Sequence, residues 1–290
     1  MKNVISRRRF LAHTATAGAF SAGGACLLAD PVDASVVAEL DFPLIDFHVH
    51  LDNSTLDNVL ELSKERGVKF GIVEHAGDKE NKYPVVLSND DELKRRLAML
   101  AGKPVYKGVQ AEWNNWMSCF SPGVLAQLDY VLTDAMTFPG KDGRRQKLWE
   151  PGYEITDKQA FMDRFVDWHV EILAKEPVDI LANVSWLPGP LAREYDVFWT
   201  PERIQKVVDA AVKYQVAIEI SASFKLPKLA FLKLAKAAGV KFCFGSNGRY
   251  PNMGKLEYSI QMAKELGLKR ADMFTPAPDG QKAVQRRKWA

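Results

Sequence analysis

Short apolar segments alternate with amphipathic segments along the chain, beginning near residue 43. The apolar segments are rich in the β-branched and aromatic residues typical of strands. They span residues 43–48, 68–74, 105–111, 129–133, 178–184, 216–220 and 240–245. The amphipathic segments show the apolar spacing of helices. They span residues 56–66, 90–101, 157–175, 201–214, 227–238 and 253–266, with a short helix after residue 122.

Strict alternation of strands and helices predicts a parallel sheet covered by helices. Seven such units in roughly 250 residues favour a closed, TIM-like β/α barrel in a single domain over an open sheet. Residues 137–156 are predicted to be a long polar loop. The chain has no GxGxxG after the first strand and no P-loop, which argues against a nucleotide-binding fold.

The first 34 residues differ from the rest of the chain. Ser6-Arg7-Arg8-Arg9-Phe10-Leu11 resembles the twin-arginine export motif, and an Ala- and Gly-rich stretch follows it. That stretch is too short and too weakly apolar for a membrane span, and no later segment suits one. We expect a signal over residues 1–34, a barrel domain over 35–290, the twin-arginine export machinery as a partner, and a periplasmic or otherwise exported protein.

Charge and cysteine content exclude several classes of function. The 39 Lys and Arg against 36 Asp and Glu leave a net charge of +3 with no basic stripe, so no nucleic-acid partner is expected. Cys119 and Cys243 are far apart and make no disulfide framework. Cys243 lies in an apolar strand, where buried packing is expected.

Polar side chains that can bind a metal lie near the predicted strand ends. Three of the five histidines are there, at His48, His50 and His75. Strand alternation places His48 and His50 on one face together with Asp46, which is a candidate for orienting a histidine. The other strands end near Glu112, Asp134, Asn183, Glu219 and Ser246-Asn247. Active sites of β/α barrels lie at these ends, and imidazole suits Zn, Fe, Ni or Mn.

The segments around these residues follow a family pattern. The first three read Asp46-Phe47-His48-Val49-His50, Gly71-Ile72-Val73-Glu74-His75-Ala76 and Gly108-Val109-Gln110-Ala111-Glu112. Ala217-Ile218-Glu219-Ile220 and Phe244-Gly245-Ser246-Asn247 follow later. Together they resemble the motifs of the PHP (polymerase and histidinol phosphatase) family.

The resemblance implies a distorted (β/α)7 barrel that hydrolyses phosphoesters with one to three Zn, Mn or Fe ions. The metal ligands that it implies are His48, His50, His75 and Glu112. The later motifs depart from the family, because Asp134, Asn183 and Arg249 stand near positions where the family has His. Asp134 is therefore a candidate ligand or general base, and Arg249 a candidate for binding an anionic substrate.

The substrate class and two other functions stay open. Loop tryptophans favour a small, sugar-like or other ring-bearing substrate: Trp113, Trp116, Trp149, Trp186 and Trp199. The basic loop 141–145, with Arg193 and Arg249, suits a phosphate. An amidohydrolase-type enzyme shares His-x-His on strand one, but the strand-four Lys is not found. A catalytically degenerate barrel that binds a metal or a carbohydrate is the third reading.

Overall fold

A closed ring of seven parallel strands forms the centre of the molecule, which a computed structural model describes for residues 40–112, 116–140, 145–150 and 154–286. The described strands are β1 (Ile45–Val49), β2 (Lys69–Ile72), β3 (His75–Ala76), β4 (Val86–Leu87), β5 (Tyr106–Ala111), β6 (Tyr130–Thr133), β7 (Thr137–Pro139), β8 (Arg145–Lys147), β9 (Ile180–Leu181), β10 (Ala217–Ser221) and β11 (Phe242–Gly245). The ring runs β2-β1-β11-β10-β9-β6-β5 and closes because β2 also pairs with β5. The predicted seven-stranded, single-domain barrel is confirmed.

Helices follow the ring strands in the order predicted. They are α1 (Leu56–Arg66), α2 (Asp90–Leu100), α3 (Pro122–Leu125), α4 (Lys158–Lys175), α5 (Gly189–Ala192), α6 (Tyr195–Phe198), α7 (Pro201–Tyr214), α8 (Leu229–Ala237), α9 (Glu257–Leu266) and α10 (Ala283–Arg286), with 3-10 turns at Lys79–Asn81, Trp116–Cys119 and Arg270–Asp272. Side-chain caps explain several starts, as where Thr55 accepts a hydrogen bond from the Asn58 backbone N–H. No helix in the described part of the chain is long and apolar enough to cross a membrane.

Three elements differ from the prediction. The second predicted strand stops at Ile72, and β3 follows as a separate short strand between β4 and β5. The predicted loop 137–156 contains an antiparallel hairpin, β7–β8, in which Thr137 pairs with Lys147 and Phe138 is buried. The last long helix begins at Glu257 instead of residue 253, because Gly254 adopts a left-handed backbone and its N–H binds a side chain.

The barrel interior is filled at the end away from the strand C-termini. Tyr130 lies there against buried Phe47 and partly buried Phe274, and its hydroxyl donates to the Phe47 carbonyl at 2.7 Å. Glycines make the room for its ring, since a Cβ at Gly71 or Gly108 would lie 2.4 or 2.5 Å from Tyr130 atoms. We call these residues the barrel floor. Cys243 is buried in the same cluster and unbonded, as is expected of a packing residue.

The predicted signal segment, residues 1–34, lies outside the described residues. So do Trp113 and residues 141–144 of the predicted basic loop.

Candidate functional site

The strand C-termini bring the predicted imidazoles together at the open end of the barrel. The ring centroids of His48 and His50 are 5.3 Å apart, and those of His50 and His75 are 5.1 Å apart. All three side chains are almost fully buried, as is Glu112 just after β5. The strand order thus gathers four residues that are far apart in the sequence, which is what the strand-end argument predicted.

His48 is held between an acid and an amide. Its Nδ1 donates to Glu219 Oε2 at 2.7 Å, and its Nε2 faces Gln110 Oε1 at 3.2 Å. Burial opposes a charge on this ring, but the adjacent Glu219 carboxylate, together with Asp134 and Asp46, outweighs burial and raises the pKa of His48. Because Nδ1 donates to Glu219, Nε2 is the ring atom left for a ligand or a second proton.

His75 is oriented in the same way by a different acid. Its Nδ1 donates to Glu112 Oε1 at 2.7 Å, and its buried Nε2 has no hydrogen-bond partner. A carboxylate that accepts from one ring nitrogen fixes the tautomer in which the other nitrogen carries a lone pair. The lone pair of the buried His75 Nε2 is therefore available to bind a metal ion.

His50 and Glu74 carry further buried atoms without partners. Neither ring nitrogen of His50 has a hydrogen bond, and Glu74 Oε2, 3.9 Å from His50 Nδ1, has none either. Burial, reinforced by nearby positive charges, holds the pKa of His50 well below its ordinary value, so the ring is neutral. Each unpartnered buried group costs about 1–3 kcal/mol, so such a cluster points to a ligand.

The other oxygen of Glu74 is firmly bound. Glu74 Oε1 accepts from the Leu51 N–H at 3.0 Å and from Arg96 at 2.6 Å. Burial raises the pKa of Glu74, and the Arg96 guanidinium counters that rise. Arg96, on α2, therefore stabilises the charged form of a buried carboxylate beside the imidazoles.

Asp134 lies next to the cluster and keeps a partly exposed edge. One of its oxygens accepts from Gln110 Nε2 and Asn183 Nδ2, both at 3.3 Å, and the other accepts from the Met136 N–H. Loss of solvation, reinforced by the charge of Glu112, raises the pKa of Asp134 to about 6. A carboxylate with that pKa is suited to accepting a proton near neutral pH.

Arg249 lies in the loop after β11, and its guanidinium already has acceptors. Its Nε donates to Asp52 Oδ2 at 3.1 Å, and its Nη1 donates to both Asn247 oxygens at 3.3 Å. Asp52 Oδ1 is buried and has no partner. The predicted role of Arg249 in binding an anionic substrate would therefore use only the part of the guanidinium that Asp52 and Asn247 leave open.

Asp46 does not share the environment of the imidazoles. Its carboxylate accepts from the backbone N–H groups of His48, Ser246 and Gly254 and from the Ser246 hydroxyl. The pairing of β1 with β2 is irregular between Asp46 and Val49, which interrupts the alternation of faces. The prediction that Asp46 orients a histidine ring is wrong: it ties β1 to the loop after β11, and Glu219 orients His48.

The loop tryptophans are mainly packing residues. Trp116 and Trp199 are buried, and their indole N–H groups donate to Glu176 and to the Ser185 carbonyl. Trp186 is partly buried, whereas Trp149 is exposed. The aromatic argument for a sugar-like substrate therefore loses most of its support.

The donor set fits a divalent transition metal in its chemistry, but its side chains are not gathered around one point. Imidazole nitrogens and carboxylate oxygens are the ligands such ions take. Among the residues that the structure describes, no three His, Cys, Asp or Glu side chains converge closely enough to hold an ion. Instead, His48 and Glu112 are engaged with neighbouring side chains, while His50 and His75 keep unpartnered nitrogens.

Comparison with known proteins supports the fold. No family model and no curated protein matches the chain. The structure of histidinol phosphate phosphatase from Lactococcus lactis subsp. lactis Il1403, solved with zinc, L-histidinol and phosphate, is similar with a TM-score of 0.52 and 13% identity. The match covers 85% of this chain and 99% of that one. An HpcH/HpaI aldolase from Desulfitobacterium hafniense DCB-2 matches at a TM-score of 0.36, too low to carry an argument. At 13% identity the first match establishes a common fold alone.

Sequence reasoning noted Glu219 but gave it no role, and it missed Gln110 and Arg96. Glu219 had a signal, since an acid between Ile218 and Ile220 in a buried strand must have a partner. Arg96 had none, because its helix reads as an ordinary amphipathic one.

Proposed function

We propose that this chain is a metal-dependent hydrolase, of phosphoesterase type, that acts on a small molecule. The observation that carries the proposal is the buried group of unpartnered atoms on His50, His75 and Glu74 at the strand C-termini. Their burial without partners is costly unless a ligand binds them. The similar fold of a phosphatase solved with zinc and phosphate supports this class of chemistry.

His48, His50, His75 and Glu112 would hold the ion, which we expect to be Zn, Mn or Fe. A divalent ion there would supply a hydrolytic nucleophile at neutral pH, because such ions lower the pKa of bound water. For Glu112 to bind the ion, one of its carboxylate oxygens would have to turn away from His75 Nδ1. Alternatively, His50 and His75 would bind the ion together with Glu74 in place of Glu112. The unpartnered Glu74 oxygen makes the second arrangement available without breaking a hydrogen bond.

The remaining residues would position groups and move protons. Glu219 accepts a hydrogen bond from His48 Nδ1, so His48 would bind an ion through Nε2, in place of its contact with Gln110 Oε1. Asp134, with a pKa of about 6, would accept a proton from the attacking water. The open edge of the Arg249 guanidinium would bind an anionic oxygen of the substrate.

A second function is favoured by a specific observation. Arg249 and Arg96 already neutralise the carboxylates of Asp52 and Glu74, and the described donors do not converge. A barrel in this state suits a binding protein that holds a metal or a small ligand without turnover.

Elemental analysis tests the first step. Protein purified without chelator or added metal should contain about one or more equivalents of Zn, Mn or Fe. The His48→Ala/His50→Ala variant should lose it, while His169→Gln, which changes a buried histidine outside the site, should keep it. Metal-free, folded wild-type protein would refute the proposal.

Turnover of an aryl phosphate by the metal-loaded protein tests the second step. Hydrolysis that Asp134→Asn slows at least tenfold, without loss of metal, supports the enzyme. A metal-loaded protein that hydrolyses neither phosphate nor carboxylate esters supports the binding protein instead.

Export by the twin-arginine route is a separate proposal. It rests on the motif Ser6-Arg7-Arg8-Arg9-Phe10-Leu11. Replacing Arg7 and Arg8 together by Lys should keep the protein in the cytoplasmic fraction, and unchanged export would contradict this proposal.

A further inference from the structure

One aromatic ring lies flat on the candidate metal site. The ring centroids of Tyr83 and His75 are 3.5 Å apart, and their planes differ by 3°. The His75 ring is in turn stacked towards His50 at 24°. Tyr83 is half-buried and belongs to the segment between the Lys79–Asn81 turn and β4. None of the residues proposed above to bind metal requires such a ring, so its position calls for an explanation.

A lysine lies against the same tyrosine. Lys147 Nζ is 4.3 Å from the Tyr83 ring centroid. Because the His75 imidazole covers one face of Tyr83 at 3.5 Å, the ammonium group has only the other face available. Lys147 is at the end of β8, where its backbone pairs with Thr137. The β7–β8 hairpin therefore braces Tyr83 from outside through a cation–π contact.

Stacking on Tyr83 restricts a motion of the His75 ring that its hydrogen bond with Glu112 still permits. The bond from His75 Nδ1 to Glu112 Oε1 fixes one edge of the ring but permits it to tilt about the bond. Tyr83 covers a face of the ring and blocks that tilt. Stacking leaves the in-plane lone pair of Nε2 uncovered, so the two contacts together set the direction in which this lone pair points.

We propose that Tyr83 is a positioning residue that fixes the plane of the His75 imidazole for metal binding, with Lys147 clamping the tyrosine ring. This inference rests on the proposed function. The face of the Tyr83 ring positions His75 by stacking, and Tyr83→Phe keeps that face, so this variant should behave like the wild type. Residues that orient metal-binding histidines typically contribute about 10- to 100-fold to metal affinity.

The test measures affinity for Zn²⁺ by competition with a chromophoric chelator, and the visible absorption spectrum of the Co²⁺-loaded protein. Tyr83→Leu should bind Zn²⁺ about tenfold more weakly or worse and change the Co²⁺ spectrum. Tyr83→Phe should restore both, and Lys147→Met should fall between. Tyr214→Leu removes a ring beside a lysine elsewhere in the fold and should change neither.

Nuclear magnetic resonance of the metal-free protein distinguishes failure of the role inferred for Tyr83 from failure of the proposed function. The His75 ring protons should show an upfield ring-current shift that Tyr83→Leu removes and Tyr83→Phe keeps. Tyr83→Leu with wild-type Zn²⁺ affinity, or Tyr83→Phe as weak as Tyr83→Leu, would overturn this inference alone. Wild-type protein that shows the ring-current shift but binds no metal would overturn the proposed function and this role with it.

Discussion

Removing the Arg96 guanidinium tests whether the charge of Glu74 is compensated inside the fold. The two side chains are 2.6 Å apart, and their exposed fractions are 14% and 1%. Arg96→Met would leave Glu74 with only the Leu51 N–H as a donor. Loss of one partner of a buried ion pair typically costs about 3–5 kcal/mol, because the other charge stays buried without compensation. We expect that loss in the free energy of unfolding of the metal-free variant, measured in urea at pH 7.

Two further variants make this prediction specific. Lys206→Met removes an exposed ion pair with Asp167 and should cost at most about 1 kcal/mol. Arg96→Met/Glu74→Gln removes both charges but keeps an acceptor for the Leu51 N–H, so it should recover at least half of the loss. An Arg96→Met variant that is as stable as Lys206→Met would refute the reasoning.

The same variant should depend on pH in a defined direction. Burial raises the pKa of Glu74, and without Arg96 little opposes that rise. A carboxyl group whose pKa is higher in the folded than in the unfolded state stabilises the fold at low pH and loses that effect as pH rises through its folded pKa. The loss in the free energy of unfolding caused by Arg96→Met should therefore be largest above neutral pH and become smaller on acidification. A deficit that grows on acidification would contradict this account.

Three other changes have defined outcomes. Gly108→Ala should cost about 1–3 kcal/mol by overpacking against Tyr130, and less in a Tyr130→Leu background; equal costs in urea unfolding would contradict the contact. Burial lowers the pKa of His169 to about 4, so up to about 3 kcal/mol of stability should be lost as pH falls from about 6.5 to 4, and His169→Gln should flatten that slope in thermal unfolding. Glu219→Gln should weaken Zn²⁺ binding about 10- to 100-fold in a chelator competition, because His48 loses its anionic acceptor; wild-type affinity would exclude that role.

The barrel and the location of the site were predictable because both follow from repeated local patterns. Alternating apolar segments specify parallel strands, and parallel strands deliver their last residues to one end. That is why His48, His50 and His75 could be placed together at one end of the barrel without a structure. The hairpin β7–β8 was missed because its strands have three residues each, too few for a period to show.

The side-chain contacts within the candidate site could not be predicted from local sequence patterns. The side of β1 on which the Asp46 side chain lies depends on an irregularity in the β1–β2 pairing. The alternation of residues within one strand does not reveal that irregularity. The contacts of Glu219 with His48 and of Tyr83 with His75 depend on how separate segments pack. The conformation of a side chain against a distant neighbour is set by packing that sequence periodicity does not encode.

The pairing between β1 and β11 has a consequence for biosynthesis. Asp46 pairs with Phe244, and His48 Nδ1 donates to Glu219, so one edge of the first strand and its histidine have no partner until the last two strands are made. At roughly 5–20 residues per second, the ribosome needs about 10–40 s to make the intervening chain. Through much of that interval the three imidazoles and Glu112 have been made, but Glu219, which orients His48, has not. A nascent chain halted before β10 would contain every histidine of the cluster and still lack the arrangement that makes them a site.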